Sequence, residues 1–396
     1  MIYFNSRSQI LWRQVWGLAA LLAAIIFSWM AYGFYQPKIL HKLEFDSLAN
    51  WLGILQGFLA AFIEPFVGGM SDRIQRRFGS RIPMISVGVA LAGLIFTVSS
   101  LLVEQKLTGG IRWIVPIMMT LWVIAMIIFR GPAIALLRQL APDAELPQAN
   151  SILVLVFGLV GATGPLLNML LKNIGASITF VLGAIVLVLG AYFLQSSVPT
   201  QTVPSSSSSP ISSPSPPIVL LIAIFCVGLA SGLEINLLMG IFPQALHSQL
   251  LNIQPDIIAS LILIISAFAS FPLGKWTAKF GINKSMLVGL GAITALMGLT
   301  LLNQNTIITS ILILGFGIAF GVVFIAMIPF ALGKVPPSLA GLGTGLYFGG
   351  SGAATTLFLI LMKSLKMNPF IAFCLGIMAF VVAVVSISKS KKYQFA

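Results

Sequence analysis

The sequence predicts an all-α integral membrane protein of twelve transmembrane helices in two pseudo-symmetric six-helix bundles, and three observations lead there. The 396 residues are 58% hydrophobic and 8% charged, with a mean hydropathy of +1.04, whereas average soluble domains carry roughly 25% charged residues. Twelve apolar runs approach the roughly 20 residues a helix needs to cross a hydrocarbon core. A Ser/Pro-rich, uncharged stretch, SSVPTQTVPSSSSSPISSPSPP at 196–217, parts the sixth run from the seventh.

In chain order the runs lie near 14–36, 47–70, 82–103, 111–138, 148–171 and 174–195. They resume near 218–243, 255–279, 284–302, 306–330, 340–362 and 367–388. The start, MIYFNSRSQILWRQ, has arginines ahead of the first run and no small-residue cleavage site after it. That run is expected to be retained as a span rather than removed as a signal peptide. The divisions are then 1–195 for one bundle, 196–217 for a flexible cytoplasmic linker and 218–396 for the other.

The net charge of +13 does not point to nucleic acid, because the basic residues are scattered through short loops. With the N-terminus inside, 14 Lys/Arg fall on the cytoplasmic side and 7 outside, with Arg130 alone within a span. Both termini are therefore expected in the cytoplasm, and the chain in a plasma (inner) membrane. Cys226 and Cys374 lie inside apolar runs and give no disulfide or metal spacing. No nucleotide-binding loop and no nucleophile–base pattern occurs, so neither direct ATP drive nor an enzyme is expected. His41 and His247 fall in outer loops, and no metal or other cofactor is expected.

Sliding the chain by 206 residues pairs Pro37 with Pro243, His41 with His247, Phe62 with Phe268 and Gly68 with Gly274 without a gap. Seven identities in the 45 positions 28–72 share one register across two spans and a loop, which reads as a repeat of six helices.

Between the second and third spans stands GGMSDRIQRRFGSRIP, residues 68–83, a knot of charge in an apolar chain. Gly68, Asp72, Arg73, Gly79 and Arg81 resemble the loop signature of the major facilitator superfamily. Ser71-Asp72-Arg73, Arg77-Phe78-Gly79, Arg81 and Pro83 are similar to the longer form in the glycoside–pentoside–hexuronide cation symporters, within which the sucrose–proton symporters look nearest. GPAIALLRQL at 131–140 resembles that group's fourth span. Ser80 and Ile82 stand where the group has basic residues, Ile134 replaces its substrate-binding arginine, and Gln139 replaces its aspartate. The matching loop of the second half, PLGKWTAKFGINK, has Ala278 where Asp72 would fall. The resemblance implies that Gly68, Asp72, Arg73, Arg77, Gly79 and Arg81 form a gate, with Asp72 meeting the N-terminus of the eleventh span, AGLGTG at 340–345. The alternative reading is a positive-inside anchor alone.

Glu64, Arg130 and Glu234 fall within spans, where a charge costs roughly 2.5 kcal/mol or more. Glu64 and Arg130, each eight residues from a cytoplasmic helix end, are candidates for a pair that either locks the N-terminal half or binds an anionic or polar solute. Glu234 has no base near it in sequence and suits a proton carrier or a neutral hydrogen-bonded acid. Ser28, Tyr32, Tyr35 and Gln36 share one face of the first span, and Thr344, Tyr347, Ser351 and Thr355 one face of the eleventh. Either stripe serves a solute or ordinary interhelical hydrogen bonding. The tenth span has no polar side chain from Ile311 to Phe330, which fits a partly apolar ligand. Pro165 after Gly164 resembles the antiporter motif of drug exporters, although Val160 stands where that motif has glycine.

The resulting expectation is a monomeric secondary transporter of a small organic solute, sugar-like or partly apolar, acting within the bilayer by proton or possibly sodium symport. The rivals are a proton-linked exporter of amphipathic compounds and a non-transporting assembly or pigment-handling factor on the same fold.

Overall fold

The computed structural model describes residues 9–105, 107–198, 216–250 and 252–392. Residues 199–215 of the expected linker, with Arg7 and Lys106 from the charge count, lie outside the described residues. Among the described residues there is no strand, and twelve helices are long and apolar enough to cross a membrane. They are α1 (Trp12–Lys42), α2 (Asp46–Phe78), α3 (Ile82–Glu104), α4 (Ile114–Ala135), α5 (Leu146–Ala162), α6 (Ala176–Ser197), α7 (Ile218–His247), α8 (Pro255–Phe280), α9 (Ile282–Leu302), α10 (Thr306–Gly333), α11 (Ala340–Ser364) and α12 (Pro369–Ser390). A hydrocarbon core offers the backbone no water, so a chain this apolar closes its peptide hydrogen bonds within helices.

Several helices outrun the apolar runs that predict them. α1 continues to Lys42 instead of 36 and α7 to His247 instead of 243, each past an internal proline. The largest correction concerns residues 68–83, expected as a loop. α2 runs through them to Phe78, so Asp72, Arg73 and Arg77 stand on its last two turns. Nothing in SDRIQRR breaks a helix, and the first residue that does is Gly79, whose φ of 72° suits glycine. The fifth run is not one helix. α5 stops at Ala162, and a separate segment, Gly164–Ile174, follows, since Pro165 has no N–H to continue the ladder. The fourth run begins with a 3₁₀ turn, Gly109–Trp113, and breaks at Leu136 before a last turn, Leu137–Leu140.

The first helix of each half starts in the 206-residue register: α1 begins at Trp12 and α7 at Ile218. The register slips afterwards, since α8 starts at Pro255 and α2 at Asp46, a separation of 209. Buried apolar side chains form two clusters. One comes from residues 10–194 with Ile328, Leu332 and Ala340, the other from residues 220–387 with Val154.

The two halves meet chiefly where α2 packs on α11 and α5 on α8. Lipid tails are as apolar as leucine, so such pairing depends on close approach rather than on the hydrophobic effect. Gly341, Gly345 and Gly349 recur every fourth residue along α11, and a Cβ on any of them would press into α2. The end of the bundle where α2 stops and α11 starts carries Arg81, Arg138, Lys334 and Lys391, and we call it the basic end.

Candidate functional site

At the basic end Asp72 takes hold of the start of α11. Its Oδ1 accepts from the Gly341 N–H at 2.8 Å and its Oδ2 from the Leu342 N–H at 2.8 Å. These are the first N–H groups of a helix, which have no intrahelical acceptor and sit at its positive end. Arg81 donates to the same carboxylate from the other side. Its Nε reaches Ser71 Oγ at 3.1 Å and a terminal nitrogen the Ala135 carbonyl at 3.3 Å. Arg81 is fully buried. Burial lowers its proton affinity and Asp72 restores part of it; the ordinary pKa of a guanidinium is high enough to keep it charged. Gly68, one turn before Asp72, lets the helices touch, because a Cβ there would strike the Gly341 carbonyl. Arg73 and Arg77 are exposed and are not brought to Asp72; Arg77 lies 5.5 Å from the Phe78 ring. Gly79 only ends the helix.

A second clamp joins the halves through side chains the sequence reading left aside. Arg138, beyond α4, donates to the Leu332 carbonyl and, at 2.6 Å, to that of Val335, with Asp143 at 3.2 Å on its flank. Asn150 of α5 donates to the carbonyls of Phe324 and Ile325 in α10 at 2.9 and 3.0 Å. Pro329 explains the second bond. It lacks the N–H that would have answered the Ile325 carbonyl four residues back, and Asn150 supplies one from the other half. The polar contact to α10 therefore comes from its neighbour, although α10 has no polar side chain there. A lone Asn in an apolar run and a Pro inside another were the available signals, but they lie 179 positions apart in the chain.

Deeper in the bundle Arg130 donates to Glu64. The expected depth rested on helix ends that the structure moves: α2 ends at Phe78, so Glu64 lies about 21 Å from that end rather than about 12 Å. The residues still meet, because α2 and α4 are packed together. The Glu64 side chain is buried and that of Arg130 is 26% exposed. Glu64 Oε2 and Arg130 Nε have no partner. The guanidinium carbon lies 5.2 Å from the Phe348 ring of α11, so the pair belongs to one half and faces the other.

Tyr32 and Gln36 are not brought together with Glu234. Tyr32 is buried in the N-terminal half, stacked on Trp122 at 4.6 Å and accepting from Gln56 Nε2 at 2.5 Å. Gln36 keeps a buried Nε2 without a partner. Tyr35 donates to the Leu171 carbonyl, away from the interface. In the C-terminal half Tyr347 shares a 2.6 Å hydrogen bond with Ser231, one turn before Glu234 on α7. Glu234 is fully buried, and neither carboxyl oxygen completes a hydrogen bond. Thr294 of α9 stands beside it, its hydroxyl equally without a partner. In the span-11 stripe, Thr344 and Thr355 bond to carbonyls of their own helix.

Two cavities open at opposite ends of the molecule. One, of about 510 Å³, lies in the N-terminal half between Tyr35, Lys38, Glu104 and Ser177. The other, of about 430 Å³, lies at the basic end of the C-terminal half. Neither is lined by Arg130 or Glu234.

A sequence model of the Major Facilitator Superfamily matches residues 17–359. No curated protein sequence matches the chain. Among solved structures, the human organic anion transporter MFSD10 (TETRAN) superposes with a TM-score of 0.71 at 14% identity, covering 94% of this chain and 99% of that one. A bacterial homologue of the iron transporter ferroportin in an outward-facing state gives 0.66 at 14% identity, over 96% and 98%. The proton:xylose symporter XylE bound to 6-bromo-6-deoxy-D-glucose gives 0.64 at 12% identity, over 93% and 94%. At these identities the likeness is one of fold.

Proposed function

The chain belongs to the Major Facilitator Superfamily, and from that membership we propose a secondary transporter that carries a small organic solute by rocking two six-helix halves about a site between them. The basic end faces the cytoplasm of a plasma membrane, as the excess of Lys/Arg favours, and the protein works as a monomer. The contacts of Asp72, Arg138 and Asn150 hold that end shut and release it when the site opens inward.

The observation that carries the reading is the pair of intramembrane acids held in opposite ways. Glu64 is paired with an arginine that touches the facing half, while Glu234 is buried beside the Thr294 hydroxyl with no basic partner among the described residues. Arg130 offers a partly open cation against an aromatic ring, which suits a solute with a polar or anionic group and an apolar body. Glu234 suits a site that takes up and gives off one proton per cycle, because an unpaired carboxyl in apolar surroundings is costly as an anion. XylE and MFSD10 provide fold precedents for sugar and organic-anion cargo. The finer likeness to sucrose symporters supports a sugar-sized solute, while Ile134 speaks against sucrose itself. The wall of α10, with no polar side chain from Ile311 to Phe330, favours a second reading, proton-linked export of amphipathic compounds.

The test uses the full chain in proteoliposomes with sugars, organic acids and lipophilic cations, under proton and sodium gradients imposed separately. Symport is expected as uphill uptake with a proton gradient alone. Glu234→Gln should keep downhill exchange and lose uphill accumulation. Flux of lipophilic cations opposite to the proton would favour the exporter, and absence of gradient-driven flux across the panel would refute both.

A further inference from the structure

The C-terminal half holds nine lysines and two acids, Glu234 and Asp256. Glu234 is buried within α7 and Asp256 opens α8 at the far end, so no Asp or Glu side chain of this half stands at the basic end. The cavity of about 430 Å³ lies there, bounded by the Gly281 turn, the start of α9, the end of α10 and the end of α12. Lys284, Lys334 and Lys391 line it, with no acid among the described lining residues. Asn283 and Lys284 belong to the first turn of α9, a 21-residue helix with no side-chain cap on its N–H groups. Lys334 is 3% exposed, yet its ammonium has one acceptor, the Ser390 carbonyl at 3.3 Å, and the Phe330 ring at 5.6 Å. An ammonium carries three donors, and a buried cation normally has a counter-charge. Here the charges lining the cavity among the described residues are cations.

We propose that this cavity binds a phosphate-bearing anion, with Lys284, Lys334 and Lys391 supplying the charge and the first turn of α9 the N–H donors. Two sources carry that chemistry, the headgroup of an anionic phospholipid and free phosphate. The site is separate from the solute site and does not depend on what is transported or in which direction. Its occupancy falls as pH rises through 8, because burial and the neighbouring Lys391 bring the Lys334 pKa down to about 8.

The full chain in detergent is titrated with dioleoylphosphatidylglycerol, with dioleoylphosphatidylcholine and with inorganic phosphate, and bound species are counted by native mass spectrometry. The expected result is a preference for phosphatidylglycerol over phosphatidylcholine that weakens about 25-fold in Lys284→Gln/Lys391→Gln, about fivefold per lysine. Lys334→Gln should weaken it further and remove the decline above pH 8. The exposed double variant keeps the test valid if the buried one fails to fold. Phosphate binding alone, displaced by no lipid but lost in the double variant, upholds the site and makes free phosphate its ligand. Binding of every probe that ignores all three lysines overturns the proposal.

Discussion

The two helix pairs that join the halves at the basic end are built alike and locked differently. Gly68 on α2 and Gly274 on α8 are equivalent under the 206-residue repeat, and each brings its helix against the other half, at Gly341 and at Ser151. On the α2 side the lock is ionic: Asp72 is held between Arg81 and the start of α11. On the α8 side Ala278 stands in place of the aspartate, and the halves are tied instead by Arg138 and Asn150 to carbonyls of α10 and of Val335 just beyond it. A buried ion pair is lost nearly whole when one member is removed, whereas side-chain-to-carbonyl bonds are lost one at a time. Helix packing sets where the halves touch, and the side chains decide how each contact is held.

The largest effect is expected from Asp72→Asn. It strands a buried Arg81 and should cost about 3–5 kcal/mol of the closed arrangement. Alkylation of a Ser151→Cys reporter, in a background without Cys226 and Cys374, should accelerate strongly. A rate equal to that of the parent would remove the ionic lock from the account. Next come the two equivalent glycines. Gly68→Ala drives a Cβ into the backbone carbonyl of Gly341, while Gly274→Ala meets the Ser151 side chain at 2.9 Å. About 1–3 kcal/mol is expected at residue 68 and less at 274; thermal unfolding of the two variants in detergent compares them, and the reverse order would contradict the packing described.

Asn150→Ala should cost about 1–3 kcal/mol by leaving the Ile325 carbonyl unanswered. The same change made in Pro329→Ala should cost less, since residue 329 then offers its own N–H. A double-mutant cycle by thermal shift reads the difference, and strict additivity would deny the link. The smallest effect concerns pH. Lys334, between α10 and α11, has its pKa pushed down to about 8 by burial and by Lys391, while the unfolded chain keeps that proton to about pH 10.4. Between these values the unfolded state binds more protons, so stability rises with pH, the penalty being full below 8 and gone above 10.4. Thermal scans from pH 8 to 10 should rise more in the parent than in Lys334→Met; parallel slopes would show that the lysine is not held as described.

Much of the architecture was legible because a bilayer reduces the choices. An apolar run of about 20 residues has few fates other than a helix, and the count of twelve and the break after the sixth follow from the sequence. Helix ends were less legible, because hydropathy reports where the bilayer stops and not where the backbone stops coiling; α2 passes through SDRIQRR until Gly79 ends it. The site was legible in part. Glu64, Arg130 and Glu234 stand out as charges in apolar runs, and Asp72 as an acid among arginines. Arg138 and Asn150 do not stand out, since their partners are backbone carbonyls, which every residue has.

By itself the sequence determined the membrane class and the twelve spans, because those depend on hydropathy that is local to each segment. Only the tertiary structure decided that Asn150 grips α10, that Arg130 faces Phe348, and that Glu234 has Thr294 and no cation beside it. Those facts depend on helix packing across nearly the whole length of the chain, where a difference of one turn moves a side chain from a partner to none.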